Sequence, residues 1–201
     1  MRAIFVLITL IAISLSWYSR HMEYAHVVER VKIRVKQLGG ALACEREMNS
    51  ESSESGGRDV SPIRAVCFDR LLIDDVEYID LSDTTVTDAD IKYIAKLKNI
   101  KTLIVNLTGV TDAGMDHVVR MTSLTELYLL GTRISDKGMA TLCRLPNLRT
   151  LDIRETDVTD AACGSLGTMH RLRLLKVTKS HLTNNGVACL RSQLKHCSVS
   201  N

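Results

Sequence analysis

The sequence predicts an α/β fold, a solenoid of five 24-residue strand–helix units with a curved parallel sheet and an N-terminal cap, preceded by a hydrophobic anchor helix. Three observations predict it. Thr84-Thr85-Val86-Thr87-Asp88 returns as Thr108-Gly109-Val110-Thr111-Asp112, as Thr132-Arg133-Ile134-Ser135-Asp136 and as Thr156-Asp157-Val158-Thr159-Asp160, then in worn form as Ser180-His181-Leu182-Thr183-Asn184. A fixed period without insertions marks a stack of units, none able to bury its apolar face alone. Within every unit the apolar pattern switches from a period of two to one of about 3.6. Ahead of the repeats, Ala3 to Ser19 carry no charge and are rich in Ile, Leu and Val.

Residues 1–20 come first. The uncharged run follows Met1-Arg2, ends on Trp17-Tyr18 and is closed by Arg20. Its length suits a short spanning helix and also a signal-peptide hydrophobic region. The Trp-Tyr pair fits a membrane interface, and Ser14-Leu15-Ser16 is a poor cleavage site, so an uncleaved transmembrane anchor through residues 3–19 is expected. Arg20, Arg30, Lys32, Arg34 and Lys36 outnumber Arg2 on the other flank. The positive-inside rule then places a single-pass protein with its repeats on the cytoplasmic side.

Residues 21–48 form a juxtamembrane segment. From His21 to Leu38 the apolar Val27, Val28, Val31, Val35 and Leu38 alternate with charges at helical spacing, Gly39-Gly40 ends the helix, and Ala41 to Cys44 suit a short strand. Residues 49–61, rich in Ser, Glu and Gly, read as a flexible linker. Residues 62–75 carry Ile63, Val66, Phe68, Leu71, Leu72 and Ile73, and are expected to cap the open edge of the first strand.

Residues 76–201 are the repeats. Anchored on the first Thr or Ser of each unit, four columns are apolar: Val76, Ile100, Leu124, Leu148 and Leu172; Ile79, Leu103, Leu127, Leu151 and Leu175; Leu81, Val105, Leu129, Ile153 and Val177; Val86, Val110, Ile134, Val158 and Leu182. That is L-x-x-L-x-L-x-x-T-x-[VIL], the leucine-rich-repeat pattern with Thr in the Asn/Cys place. The Leu-x-Leu pair has strand period, so both side chains face the interior. The Thr hydroxyl is placed to satisfy backbone groups of the turn. Asp88, Asp112, Asp136 and Asp160, each with the Thr or Ser before it, read as helix N-caps. A calcium ladder is the rival reading, but it lacks Asp-x-Asp spacing. Met115, Val118 and Met121, then Met139, Leu142 and Leu145, have helical spacing. Gly114, Gly138 and Gly186 lie just inside the helix starts, where a missing side chain permits close stacking. Val199 falls on the next strand column.

With T-x-[VI]-[TS]-D-x-G-[LM] at this period, residues 62–201 resemble the bacterial leucine-rich-repeat proteins of planctomycete-type genomes. Three positions depart from that pattern: Asp90 and Ala162 in the Gly column, and Asn184 in the Asp column. The resemblance implies a membrane-anchored, non-catalytic module for protein–protein interaction. A second resemblance is to the repeat halves of F-box ubiquitin-ligase receptors, which share [IVL]-[TS]-D-x-G-[LM]. Those repeats usually carry Cys where this chain has Thr, and no F-box precedes the solenoid.

A small thiol or serine hydrolase on a solenoid is the third reading. A Cys189–His181 or Cys197–His196 pair would need an orienting carboxylate, and no Asp or Glu follows Asp160. None of the six cysteines forms C-x-x-C, and Cys67 and Cys163 fall at apolar positions as buried thiols. His117, between apolar helix positions, is expected to be a solvated or capping histidine. There is no phosphate loop or dinucleotide fingerprint. No catalytic residue, cofactor or metal is expected, no nucleic acid is expected to bind, and the chain is expected to be monomeric.

The binding surface is expected on the concave side of the sheet, at Tyr78, Asp80, Ile104, Asn106, Glu126, Tyr128, Leu130, Asp152, Arg154 and Lys176. Ile104, Tyr128 and Leu130 make an apolar centre, and Glu126, Asp152 and Arg154 a polar rim. Charge is also graded along the stack. Asp74 to Asp90 hold acids without a Lys or Arg, whereas Ala161 to the end holds bases without an acid.

Overall fold

The computed structural model describes residues 22–43 and 76–200. Residues 22–38 are helical (α1) and lead into β1 (Ala41–Ala43). Strands and helices then alternate: β2 (Tyr78–Asp80), α2 (Asp88–Ile94), β3 (Thr102–Ile104), α3 (Asp112–Val118), β4 (Glu126–Tyr128), α4 (Asp136–Leu142), β5 (Thr150–Asp152), α5 (Cys163–Leu166), β6 (Leu174–Lys176), α6 (Asn184–Gln193) and β7 (Ser198–Ser200). One sheet holds the seven strands in chain order. β2 to β7 are parallel and in register at the 24-residue offset, with Ile79, Leu103, Leu127, Leu151, Leu175 and Val199 side by side.

The core lies between this sheet and the helices. Leu103, Leu127, Leu151 and Leu175 are wholly buried, as are Val105, Leu129 and Ile153 two residues later. Met115, Val118, Met139 and Leu142 close the layer from the helical side. Strands of three residues are too short to hold a sheet by backbone bonds alone. The continuous leucine layer between units supplies most of the stabilisation.

β2 to β6 each lead into the same turn. Asp83, Leu107, Gly131, Glu155 and Lys179 all have left-handed backbone, with φ between 54° and 66°. Four of the five carry side chains, so the turn must be held from elsewhere. It is held by the Thr column, as the sequence suggested. The hydroxyls of Thr84, Thr108, Thr132, Thr156 and Ser180 donate to the carbonyls of Leu81, Val105, Leu129, Ile153 and Val177 at 2.6–2.7 Å.

The aspartates do something other than cap their own helices. The N-caps are Thr87, Thr111, Ser135, Thr159 and Thr183. Asp88 reaches forward to the next unit, where its carboxylate accepts the Thr111 N–H at 2.9 Å and the Thr111 hydroxyl at 2.7 Å. Asp112 does the same to Ser135, Asp136 to Thr159 and Asp160 to Thr183. Four two-bond clamps thus tie each unit to its successor.

The clamps explain the glycines and every departure from them. A Cβ on Gly114 would stand 2.6 Å from the Asp88 carboxylate, and one on Gly138 or Gly186 would collide with Asp112 or Asp160. In the first unit no earlier aspartate among the described residues fills that space. There Asp90 itself accepts from the N–H and hydroxyl of Thr87, and Arg34 of α1 donates to it at 2.7 Å. Burial raises the Asp90 pKa, but the hydrogen bonds from Arg34 and Thr87 outweigh it and hold the carboxyl below its ordinary value. In the fourth unit Ala162 occupies the column, and there the helix opens as a 3-10 turn over Asp160–Ala162. A methyl group beside Asp136 needs that change of path.

The N-terminal end is closed by α1 and β1. β1 pairs antiparallel with β2, and Val28, Val31 and Val35 join the common core. Gly39, at φ 79°, turns the chain out of the helix. At Gly40 a Cβ would meet Leu81 at 2.6 Å and the Asp80 carbonyl at 2.7 Å, so only glycine lets the chain pass. The expected linker 49–61 and cap 62–75 lie outside the described residues, as does the run 3–19.

The single-pass membrane expectation is corrected here. Among the described residues no helix is long and apolar enough to cross a membrane. α2 to α6 have four to ten residues, and α1 alternates its valines with Arg30, Lys32, Arg34 and Lys36.

Two stability predictions follow from this packing. Leu127→Ala or Leu151→Ala should cost about 2–5 kcal/mol in urea unfolding, because each leaves a void in a wholly buried layer. Gly138→Ala should also destabilise, against the usual gain of about 0.5–1 kcal/mol for Gly→Ala in a helix. In an Asp112→Ala background the same change should turn neutral or favourable. A double-mutant cycle by thermal melting checks this, and a Gly138→Ala gain in the parent would contradict the clamp geometry.

Candidate functional site

Alternation along each strand turns one residue into the core and its two neighbours to the sheet face opposite the helices. In β2, β3, β4 and β6 the central residue is buried and both flanking residues are partly exposed. Register then assembles two rows. Tyr78, Thr102, Glu126, Thr150 and Leu174 form one; Asp80, Ile104, Tyr128, Asp152 and Lys176 form the other. Asn106, Leu130 and Arg154 follow two residues after the strand ends. All ten residues expected from the sequence are thus placed along this one face.

Their exposure is not uniform. Ile104, Tyr128 and Leu130 are partly exposed on adjacent units. Tyr128 is held firmly: its hydroxyl donates to Glu126 at 3.0 Å, and the Lys176 ammonium lies 5.7 Å from its ring centre. Asn106 is engaged through its side-chain oxygen, which accepts the Leu130 N–H at 3.0 Å. Asp80 accepts the N–H and hydroxyl of Ser82 at 2.9 and 2.7 Å.

Asp152 differs from expectation. It was placed on the rim, yet its side chain is 0% exposed. Arg154 covers it with a two-pronged contact, Nε to Oδ1 at 2.8 Å and Nη2 to Oδ2 at 2.7 Å, and Lys176 Nζ stands 3.9 Å away. One buried carboxylate thereby fixes two cations on the face above it. Sequence pattern alone gave no sign of this, because the burial comes from long side chains folding over a short one.

Leu107 was also missed. It is 51% exposed, the most exposed large hydrophobic residue described. It sits in the left-handed column beside Leu130, and its side chain fills the space that a Cβ on Gly131 would need. The signal was a leucine in a column otherwise holding Asp, Gly, Glu and Lys.

The tyrosines feel the acids around them. Tyr78 is pushed up to about 12, first by burial, then by the charge of and hydrogen bond to Asp80 and by the charge of Glu126. Tyr128 is raised further by burial and by Glu126. The thiols of Cys143, Cys163 and Cys197 are likewise raised by burial. That is the direction opposite to an activated nucleophile. His117, expected to be solvated or capping, is partly exposed in the last turn of α3, with its Nδ1 buried and without a hydrogen-bond partner. Among the described residues no three His, Cys, Asp or Glu side chains gather as a metal site.

The geometry is a solenoid of 24-residue strand–helix units, and in comparison with known families the Leucine Rich repeat model matches residues 120–143. This match spans one full period, from the end of α3 to the end of α4. A solved leucine-rich-repeat protein of Leptospira interrogans is similar at 16% identity and a TM-score of 0.41, over 55% of this chain and 33% of that one. The chain thus spans about a third of that protein's length. No curated protein matches it.

The tyrosines give an alkaline prediction. Folded Tyr78 keeps its proton up to about pH 12, whereas the unfolded residue loses it near 10.0. Between these values the unfolded chain binds fewer protons, so stability is intact below pH 10 and falls as pH rises toward 12. Urea midpoints across that window should show the fall; Tyr78→Phe should lessen it, and Tyr78→Phe with Tyr128→Phe should lessen it more.

Proposed function

We propose that this chain is a non-catalytic leucine-rich-repeat module that binds a protein partner on the sheet face opposite its helices. The observation that carries this reading is the cluster of Ile104, Tyr128 and Leu130, partly exposed on neighbouring units and bordered by Glu126, Arg154 and Lys176. An aromatic and two aliphatics ringed by charge have the composition of an interface centre. The residues stand on or just beyond strands whose backbone is already fixed, so presenting them incurs little further ordering cost. The raised thiol pKa values support the non-catalytic part of the reading.

The test compares two faces. Tyr128→Ala should weaken a partner, isolated by cross-linking and measured by titration calorimetry, by about 1–3 kcal/mol. Lys137→Ala, on an exposed helix position, should change binding by less than about 0.5 kcal/mol. The reverse ranking, with melting curves unchanged, would place recognition on the helical side and sink the proposal.

A further inference from the structure

The charge of the repeats is sorted across the width of the solenoid. The five segments that lead from a helix to the next strand, 95–101, 119–125, 143–149, 167–173 and 191–197, hold ten Lys or Arg and no Asp or Glu. The segments on the opposite edge, 82–88, 106–112, 130–136, 154–160 and 178–184, hold seven acids against three bases. The acidic side has a structural cause already described, since four of its seven acids are the clamps. The basic side is only partly explained. Lys96, Arg120 and Arg144 stand just past helix C-termini, where a cation complements the helix dipole. The same holds for Lys195 past α6, but the effect dies away within one turn and does not reach Arg149, Arg171 or Arg173, nearer the next strand. Nor are these cations consumed by ion pairs. Arg120, Arg144, Arg149, Arg173 and Lys195 are exposed and lie beyond ion-pair distance of any carboxylate among the described residues.

This edge is also indented. One cleft between the fourth and fifth loops of the described stack is walled by Leu172, Gln193 and Lys195, with His170 and His196. Its neighbour is walled by Cys143, Pro146 and Thr168, with Arg144 and Arg171 as its charges, and it shares His170. Arg171 is steadied at 2.7 Å by Asn147, which in turn donates to the Thr122 carbonyl at 2.8 Å. Two adjoining clefts, one with Arg144 and Arg171 and one with Lys195, and both with His170, therefore open along this row of exposed cations.

We infer that this helix-to-strand edge is a second binding surface, and that its occupant is an acidic polypeptide segment lying across successive units. Units follow one another about 4.8 Å apart, and alternate side chains of an extended segment recur about every 6.5–7 Å, so carboxylates can engage cations of neighbouring loops. The five segments contain no Trp, Tyr or Phe, the platforms on which single-stranded nucleic acid stacks. The exposed large hydrophobics among the described residues, Met22, Ile33 and Leu107, all lie outside these five segments, which leaves no such side chain within them to insert into a lipid surface. Charge complementarity with carboxylates is what remains.

The probe is a fluorescein-labelled oligoglutamate peptide, followed by anisotropy on the full chain at low salt. It should bind saturably and weaken as salt rises. Arg144→Glu with Lys195→Glu should reduce the affinity by roughly tenfold or more, as like charges replace a complementary pair. Lys92→Glu with Lys137→Glu changes net charge equally on the helical surface and should cost less than about threefold. Equal losses from the two double variants would reduce the effect to net charge and overturn the inference. So would tighter binding of an oligothymidylate or of phosphatidylserine vesicles than of the peptide, or no saturable peptide binding at all.

Discussion

The forward clamp from Asp to the next unit's Thr or Ser is the interaction on which this fold depends. Apolar burial favours stacking but is non-directional, and a layer of leucines tolerates sliding. The clamp is directional. It fixes the rotation of one helix start against the next, because both Oδ atoms are used, one on an N–H and one on a hydroxyl. Charge-assisted bonds of this kind are stronger than neutral ones. The capping hydroxyl is used twice: Ser135 donates to Asp112 while accepting from the Lys137 N–H. Helix initiation and unit stacking therefore share one side chain, and seven-residue helices too short to persist alone are nucleated by their neighbours.

The sequence made the stack legible to the residue. Unit length, strand columns, the buried Leu-x-Leu pair and the Thr turn were all readable from periodicity, because a solenoid repeats its physics as it repeats its letters. β7 was visible from Val199 alone. The aspartates were read only halfway. Their position at a helix start was plain, but their partner lies in the following unit, and a single unit of sequence does not name it. The departures held part of the missing information: Asp90 marks a helix start held by Arg34 and Thr87 rather than by an earlier aspartate, and Ala162 the helix that opens as a 3-10 turn. The closure by α1 and β1 was not legible either. Helix and strand were expected there, but their docking onto β2 is a contact between segments more than thirty residues apart, carried by Arg34 to Asp90 and by the Tyr24 hydroxyl to the Lys98 N–H.

The sheet face was legible in its membership and not in its relief. Alternation identifies which residues leave the core, but it does not say how far their neighbours cover them. Asp152 shows the difference. Its short side chain lies under Arg154 and Lys176, so the negative charge is inside and the positive groups are outside. Burying an ionised carboxylate is costly unless it is paired, and the two-pronged arginine provides that pairing. The face thereby passes from the acids near Tyr78 to cations near Arg154, with Ile104 and Leu130 between.

The clamps also give the stack a grammar. Every unit from the second onward borrows a carboxylate from the one before it, and none borrows from the one after. Trimming from the C-terminal side leaves a spare aspartate facing water, which is harmless. Trimming from the N-terminal side leaves an N-cap Thr or Ser without the carboxylate that holds it, at a helix that still has to form. The chain is thus dependent in one sense only, so order would spread more readily in the direction of synthesis than against it.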